Sequence, residues 1–250
     1  MERFIVLAGR RSGTTLLVEC LDSHPDVECR KDVFSIRRRW KHFQVDVKTG
    51  LFYPFRSASL ARRIDYLFRR RRLIRAFLTE TFAPTEGVLA KGIRLSYEQV
   101  RKYPDILPWV LENDVRIVHL VRENALKAIV SHFTAKKRGF AHATSQVAKV
   151  TLRLPPEELL ALLVQREREI DRYRALFQDR PCCEVSYESF LARKEEETRR
   201  LLAFLGISRY APLTSRLVKQ NPDSLRDILE NYDEIARALR GTPFEKYIET

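Results

Sequence analysis

The run Phe4-Ile5-Val6-Leu7-Ala8, continued by Gly9-Arg10-Arg11-Ser12-Gly13 and then by Thr14-Thr15-Leu16-Leu17-Val18-Glu19-Cys20-Leu21, decides how the rest of this chain is read. Five consecutive apolar residues with β-branched members suit a short strand buried on both faces of a parallel sheet. Residues 14–21 then carry apolar side chains at helical spacing. A buried strand, a glycine-bracketed turn rich in hydroxyls and a helix form the geometry in which backbone N–H groups and a helix N-terminus converge on a phosphate. The loop departs from the Walker A pattern G-x-x-x-x-G-K-[ST]: it reads G-x-x-x-G-T-T, one residue shorter, with Thr14 where the lysine stands. In place of that lysine, Arg11 offers a permanent, forked cation beside the anion.

Working along the chain, residues 88–90 read as a second strand and residues 115–121 (V-R-I-V-H-L-V) as a third, followed by a helix over about 124–136. Pro155-Pro156 opens a helix whose Leu159, Leu163, Ile170, Tyr173 and Phe177 follow a 3.6-residue period. Residues 182–185 form a fourth strand. Residues 190–205 read as a helix closed by Gly206, and a last helix over about 224–239 ends at Gly241. This alternation predicts an α/β protein: a three-layer α/β/α sandwich with a mainly parallel central sheet. The 250 residues, 44% hydrophobic, suit one domain over 1–250 and exclude a disulfide-stapled mini-protein or a disordered chain. Residues 34–82 fit the alternation poorly and read as a basic helical insertion over one edge, with amphipathic helices near 60–78.

The formal net charge is +13, and nearly all of it is local. Residues 30–75 hold fifteen Lys/Arg against three acids, Asp32, Asp46 and Asp65. Such a block attracts an anionic partner through a focused field, or is simply a solvated cationic face. Trp40, Phe43, Phe52, Tyr53 and Phe55 lie within it as candidate platforms for sugar rings or acyl chains. Cys20, Cys29, Cys182 and Cys183 contain no C-x-x-C pair, which fits a reducing, cytoplasmic setting. The first apolar run is too short for a signal peptide or a membrane span, so the protein is expected to be cytoplasmic, at most membrane-peripheral through its basic segment.

The loop L-A-G-R-R-S-G-T-T-L-L with Ser23-His24-Pro25 resembles the phosphosulfate-binding loop of the sulfotransferases that use 3′-phosphoadenosine 5′-phosphosulfate (PAPS). Three further stretches are similar to that family, in its order. Residues 115–121 end at Arg122 and are followed by Ser131, like the arginine and serine that bind the cofactor's 3′-phosphate. Val185-Ser186-Tyr187-Glu188 resembles the strand end whose tyrosine lies near the adenine. Lys219-Gln220-Asn221, leading into Asn231-Tyr232, is similar to the ending of bacterial carbohydrate sulfotransferases of the nodulation type.

The resemblance implies a P-loop-like sulfotransferase fold and in-line transfer of the sulfuryl group from PAPS to a hydroxyl of a carbohydrate or lipid-linked acceptor, releasing 3′-phosphoadenosine 5′-phosphate (PAP). It implies cofactor contacts from Arg10, Arg11, Ser12, Gly13, Thr14, Thr15, Arg122, Ser131, Tyr187, Lys219 and Gln220. Arg11 would do the charge stabilisation that Mg²⁺ does in kinases, so no metal is expected. Lys91 is a candidate sulfuryl ligand. Asp32 occupies the position resembling the family's general-base glutamate, and a structural ion pair with Arg30 or Arg37 is its other role. His24, His119, His132 and Glu28 are weaker candidates. Two other classes stay open: a nucleotide phosphotransferase with a degenerate Walker A loop, disfavoured by the missing lysine, and a non-catalytic binder of anionic lipid or nucleic acid, the nucleic acid being the less expected partner.

Overall fold

A computed structural model describes residues 1–31, 33–34, 52–138, 150–217 and 224–248. Strand β1 (Glu2–Ala8) leads into helix α1 (Thr14–Asp22) and then β2 (Val27–Arg30). Helices α2 (Phe52–Ser57), α3 (Leu60–Phe68) and α4 (Arg70–Thr81) precede β3 (Ala90–Ser96), α5 (Tyr97–Lys102) and α6 (Ile106–Glu112). Then come β4 (Arg116–Val121), α7 (Ala125–Arg138), α8 (Pro156–Phe177) and β5 (Cys182–Ser186), and finally α9 (Tyr187–Ala192), α10 (Lys194–Phe204) and α11 (Tyr232–Leu239). The strands form one sheet in the order β2-β3-β1-β4-β5, every neighbouring pair parallel.

Strand β1 is central, and its residues 4–8 are all fully buried, as an all-apolar run between two helical layers must be. Val6 and Ala8 pack with Leu17 and Leu21 of α1 and with Leu201 of α10. Ile5 and Leu7 face the other way, into a core with Phe77 of α4, Trp109 of α6 and Tyr173 of α8. A third cluster joins Ile129 of α7, Leu163 of α8 and Ile235 of α11. At Gly92 a Cβ would stand 2.3 Å from the Phe4 ring, so β3 tolerates only glycine where that ring crosses it.

Several elements differ from their sequence reading. Strand β2 was not foreseen, because its V-E-C-R pattern is short and half polar, as edge strands are. The helix expected over 190–205 is two helices that meet at Arg193, whose backbone leaves the helical region. The last helix begins at Tyr232 rather than near 224. Residues 52–82, read as part of an insertion over one edge, belong to the crossover from β2 to β3, and α4 sends Leu73, Ile74, Phe77 and Leu78 into the core. This also corrects the reading of the aromatics: Phe52 and Phe55 are buried against Phe77, with ring centroids 5.2 and 5.0 Å apart, while Tyr53 is exposed. Trp40 and Phe43 lie outside the described residues.

The register decides what meets at the site. Ala8 pairs with Ser96 and with Leu120, and Val121 pairs with Ser186. The residues that follow the strands, Gly9, Tyr97, Arg122 and Tyr187, therefore share one rim at the carboxyl ends of the sheet, where open α/β folds bind ligands.

Candidate active site

Two left-handed residues shape the loop after β1. Arg11 has φ 60° and Gly13, the N-cap of α1, has φ 86°. A non-glycine residue in that region is uncommon and strained, a feature that clusters at ligand clamps. Gly13 is doubly constrained, since a Cβ there would stand 2.2 Å from Cδ2 of Tyr187. No side chain caps α1, which leaves its first N–H groups to the loop and to whatever the loop holds.

Arginines surround this loop. Arg11 Nε donates to Ser131 Oγ on α7 at 3.1 Å, and Arg122 donates through a terminal nitrogen to the Arg11 carbonyl at 3.2 Å. The Arg122 guanidinium also lies 5.0 Å from the centroid of the Tyr187 ring. Arg94, in β3, donates to Thr15 Oγ1 at 3.1 Å. Arg166, from α8, donates to the Arg10 carbonyl at 2.9 Å and to Ser12 Oγ at 2.8 Å. Ser12 and Ser131 thus each accept a bond from an arginine, and each hydroxyl keeps its own proton to donate. Thr14 opens α1, half-buried.

Two Ser-Tyr-Glu turns brace the rim. Ser96 and Ser186 cap α5 and α9, the tyrosines Tyr97 and Tyr187 follow, and the glutamates reach across the rim. Glu98 pairs with Arg10. Glu188 sits 3.9 Å from Arg122 Nε and accepts from the N–H groups of Glu123 and Asn124 at the start of α7.

The electrostatics of this arrangement ask for an anion. Burial pushes Arg11 down to about 10, with the charges of Arg122 and Arg138 adding to that and Tyr187 opposing it. Arg122 and Arg166 are also lowered by burial first, and Arg166 further by Arg122. Buried like charges are unfavourable unless something pairs with them. Arg122 Nε and Arg166 Nε are buried without a hydrogen-bond acceptor. Forked donors around a helix N-terminus, with Glu188 and Glu98 at the margin, fit a nucleotide carrying several phosphate-type groups.

The same geometry removes other candidates. Lys91 pairs in register with Arg3, five residues before Ala8, which places it about 16 Å along the strand from the loop. There Lys91 is 4% exposed and held by the Ala83 carbonyl and Thr85 Oγ1, both at 2.9 Å, and by Glu28 at 3.3 Å. Its expected role as a sulfuryl ligand is therefore corrected: it is a buried structural cation at the opposite end of the sheet. Glu28 is its partner and also pairs with Arg30 at 2.5 Å, which holds the Glu28 carboxyl below its ordinary range against the effect of burial.

His24 bridges the Arg209 carbonyl and the Asp26 N–H behind α1. His119 is buried between Tyr97 and Glu184, and both of its ring nitrogens are taken up by those two side chains. His132 follows Ser131 on α7, and burial, then the Arg10 and Arg11 charges, hold it below its ordinary value. Asp32, Lys219 and Gln220 lie outside the described residues. Strand β2 ends at Arg30 and runs parallel to β3, and Lys31 after it pairs with Glu19 of α1 at 2.5 Å.

Sequence reasoning overlooked Arg94 and Arg166. Each had a signal. Arg94 interrupts an apolar strand, and Arg166 falls between Leu163 and Ile170 on the apolar stripe of its helix, where a charge needs a buried partner.

A parallel sheet with an arginine-lined loop and a helix N-terminus at its carboxyl rim is an α/β protein fitted to an anionic ligand. The chain belongs to the sulfotransferase family, whose model matches residues 4–212, and the activity this carries is sulfuryl transfer. Among solved structures it is similar to a sulfotransferase from Alicyclobacillus acidocaldarius, with 18% identity over 96% of this chain and 93% of that one and a TM-score of 0.49. It is also similar to the sulfotransferase domain from the curacin biosynthetic pathway (14% identity, 91% and 82% of the two chains, TM-score 0.49). A mouse sulfotransferase complexed with PAP matches with 14% identity over 100% and 67% of the chains, at a TM-score of 0.46. No curated protein matches.

Proposed function

We propose that this protein transfers the sulfuryl group of PAPS to a hydroxyl of a carbohydrate or lipid-linked acceptor in the cytoplasm, with the whole chain acting as one domain. The observation that carries the reading is the Arg11 guanidinium, half-buried in a strained loop, bonded to Ser131 and backed by Arg122. PAPS brings an activated sulfuryl group on a phosphate leaving group. The N–H groups of residues 12–15 at the start of α1 cradle the 5′-phosphate, and Arg11 takes up charge as it develops on the leaving oxygen. Arg122 and Ser131 hold the 3′-phosphate, Tyr187 lies beside the adenine, Arg10 borders the loop, and Lys219 and Gln220 supply further contacts. Asp32, just past the end of β2, accepts the proton of the acceptor hydroxyl.

Calorimetric titration with PAP, and separately with ATP and Mg²⁺, tests the cofactor. Binding of PAP without metal, weakened by Arg11→Ala and Ser131→Ala, is the expected result; preference for ATP with Mg²⁺ would make the protein a phosphotransferase. An acceptor screen with labelled PAPS, run on wild type and Asp32→Asn, then tests the base and the acceptor class.

A further inference from the structure

Helix α3 is turned inside out. At 100° per residue, Leu60, Ile64, Leu67 and Phe68 fall within an arc of about 100°. These four side chains are 73, 49, 73 and 79% exposed, and the helix buries no residue. Its other side meets the protein: Arg62 lies 3.8 Å from the centroid of the Phe55 ring, and Tyr66 packs 6.1 Å from Phe52. An amphipathic helix on a globular surface ordinarily presents the reverse orientation, apolar side inward.

The arginines of α3 and of the start of α4 fall into two sets. Arg62 pairs with Glu80, Arg70 with Asp105, and Arg71 and Arg75 with Glu112. Arg63, Arg69 and Arg72 are exposed, and among the described residues none of them has a carboxylate partner. The one acid on the helix, Asp65, is half-buried and outside the apolar arc. Arg63 flanks the apolar arc, Arg69 closes the helix and Arg72 stands in the first turn of α4, and exposed apolar side chains with unneutralised arginines on the same short stretch of chain match an interface that is apolar below and anionic above.

We propose that α3 is a docking helix for an anionic lipid surface, with Leu60, Ile64, Leu67 and Phe68 entering the headgroup boundary and Arg63, Arg69 and Arg72 meeting lipid phosphates. A protein partner fits this face less well. The helix is about 14 Å long and convex, and its row of four side chains falls short of the roughly 800 Å² per partner that a stable protein interface buries. A bilayer accepts such side chains one at a time and adds an attraction for each arginine near its surface. The inference does not depend on the sulfuryl-transfer reading; it concerns where the molecule sits.

Co-sedimentation of the full chain with vesicles of phosphatidylcholine, or of phosphatidylcholine with phosphatidylserine, tests it. Wild type should bind the phosphatidylserine vesicles. Both Leu67→Ser/Phe68→Ser and Arg63→Gln/Arg72→Gln should weaken that binding by about tenfold or more, with unchanged melting temperature, since all four side chains are exposed. Absence of vesicle binding by wild type would overturn the proposal. So would equal binding by the Leu67→Ser/Phe68→Ser variant, which would reduce the effect to the net charge alone. Self-association of wild type in lipid-free solution, abolished by the same variant, would assign the face to a second copy instead and likewise overturn it.

Discussion

Arg11 concentrates the properties of this site in one residue: a strained backbone, a half-buried guanidinium and a bond to the Ser131 hydroxyl on α7. A charge-assisted bond in such a place contributes about 2 kcal/mol, so Arg11→Ala should weaken PAP binding roughly thirtyfold in calorimetry. An unchanged dissociation constant would remove Arg11 from the site. Arg166 acts differently, because it reaches the loop through the Arg10 carbonyl and Ser12 Oγ and so positions the loop. Lysine keeps the charge but cannot span both acceptors. Arg166→Lys should therefore lower kcat/KM by about as much as Arg166→Gln, near tenfold, since loop placement and not charge is lost; full rescue by lysine would show that only charge matters. At Gly13, alanine meets both a left-handed φ and the Tyr187 ring. Gly13→Ala should destabilise the fold by about 3 kcal/mol in denaturant unfolding, and an equal midpoint and slope would contradict this account.

Strands β4 and β5 and helix α5 meet around a buried polar chain. His119 Nδ1 lies 3.0 Å from a Glu184 carboxylate oxygen and Nε2 lies 2.5 Å from the Tyr97 hydroxyl. Neutral imidazole satisfies both contacts, Nδ1–H donating to Glu184 and Nε2 accepting from Tyr97. Burial holds His119 below 6.5 and outweighs the attraction of Glu184. Above that pH the folded and unfolded chains are both neutral there; below it the unfolded chain takes up a proton that the fold resists, so stability falls. Glu184 is lowered chiefly by its bond to Arg174, so its contribution is present above 4.5 and is lost only as pH falls further. Thermal melts should thus drop between pH 7 and 5.5, ahead of carboxylate titration. The drop should be shallower in His119→Gln, with His132, lowered in the same direction, keeping the rest. In α4, Phe77 meets Phe34, Phe52 and Phe55 with ring centroids 5.0–5.2 Å away. Phe77→Ala should lower stability by about 3–5 kcal/mol, a loss that a merely peripheral helix would not show.

Across the whole molecule the net charge of +13 and the arginine-lined rim make stability and anion binding one linked property. A ligand bound only by the fold, at a hundred times its dissociation constant, stabilises by about 2.7 kcal/mol. PAP at that level should raise the melting temperature by about 5–11 °C, an increment that shrinks with added salt. An equal rise in Arg11→Ala would mean that the nucleotide binds elsewhere on the basic surface.

The strand-loop-helix start, residues 115–121 and the helix from Pro156 were legible because each is a local pattern: an apolar run, a glycine pair, a 3.6-residue period. Arg11 stands within such a pattern, whereas Arg122 and Ser131 came from the family resemblance, and the three meet in space. Strand β2, the division at Arg193 and the place of α4 in the core were not legible, since a half-polar edge strand and a basic helix owe their positions to partners distant in sequence. Lys91 shows the difference most directly. Chemistry made it a candidate, and only the pairing of β3 with β1 put it at the far end of the sheet, just as the packing of α8 alone brought Arg166 to Ser12. Backbone preference and side-chain period act over a few residues and are written in the chain; register and helix packing are sums over many distant contacts, and they exist only once the sheet has formed.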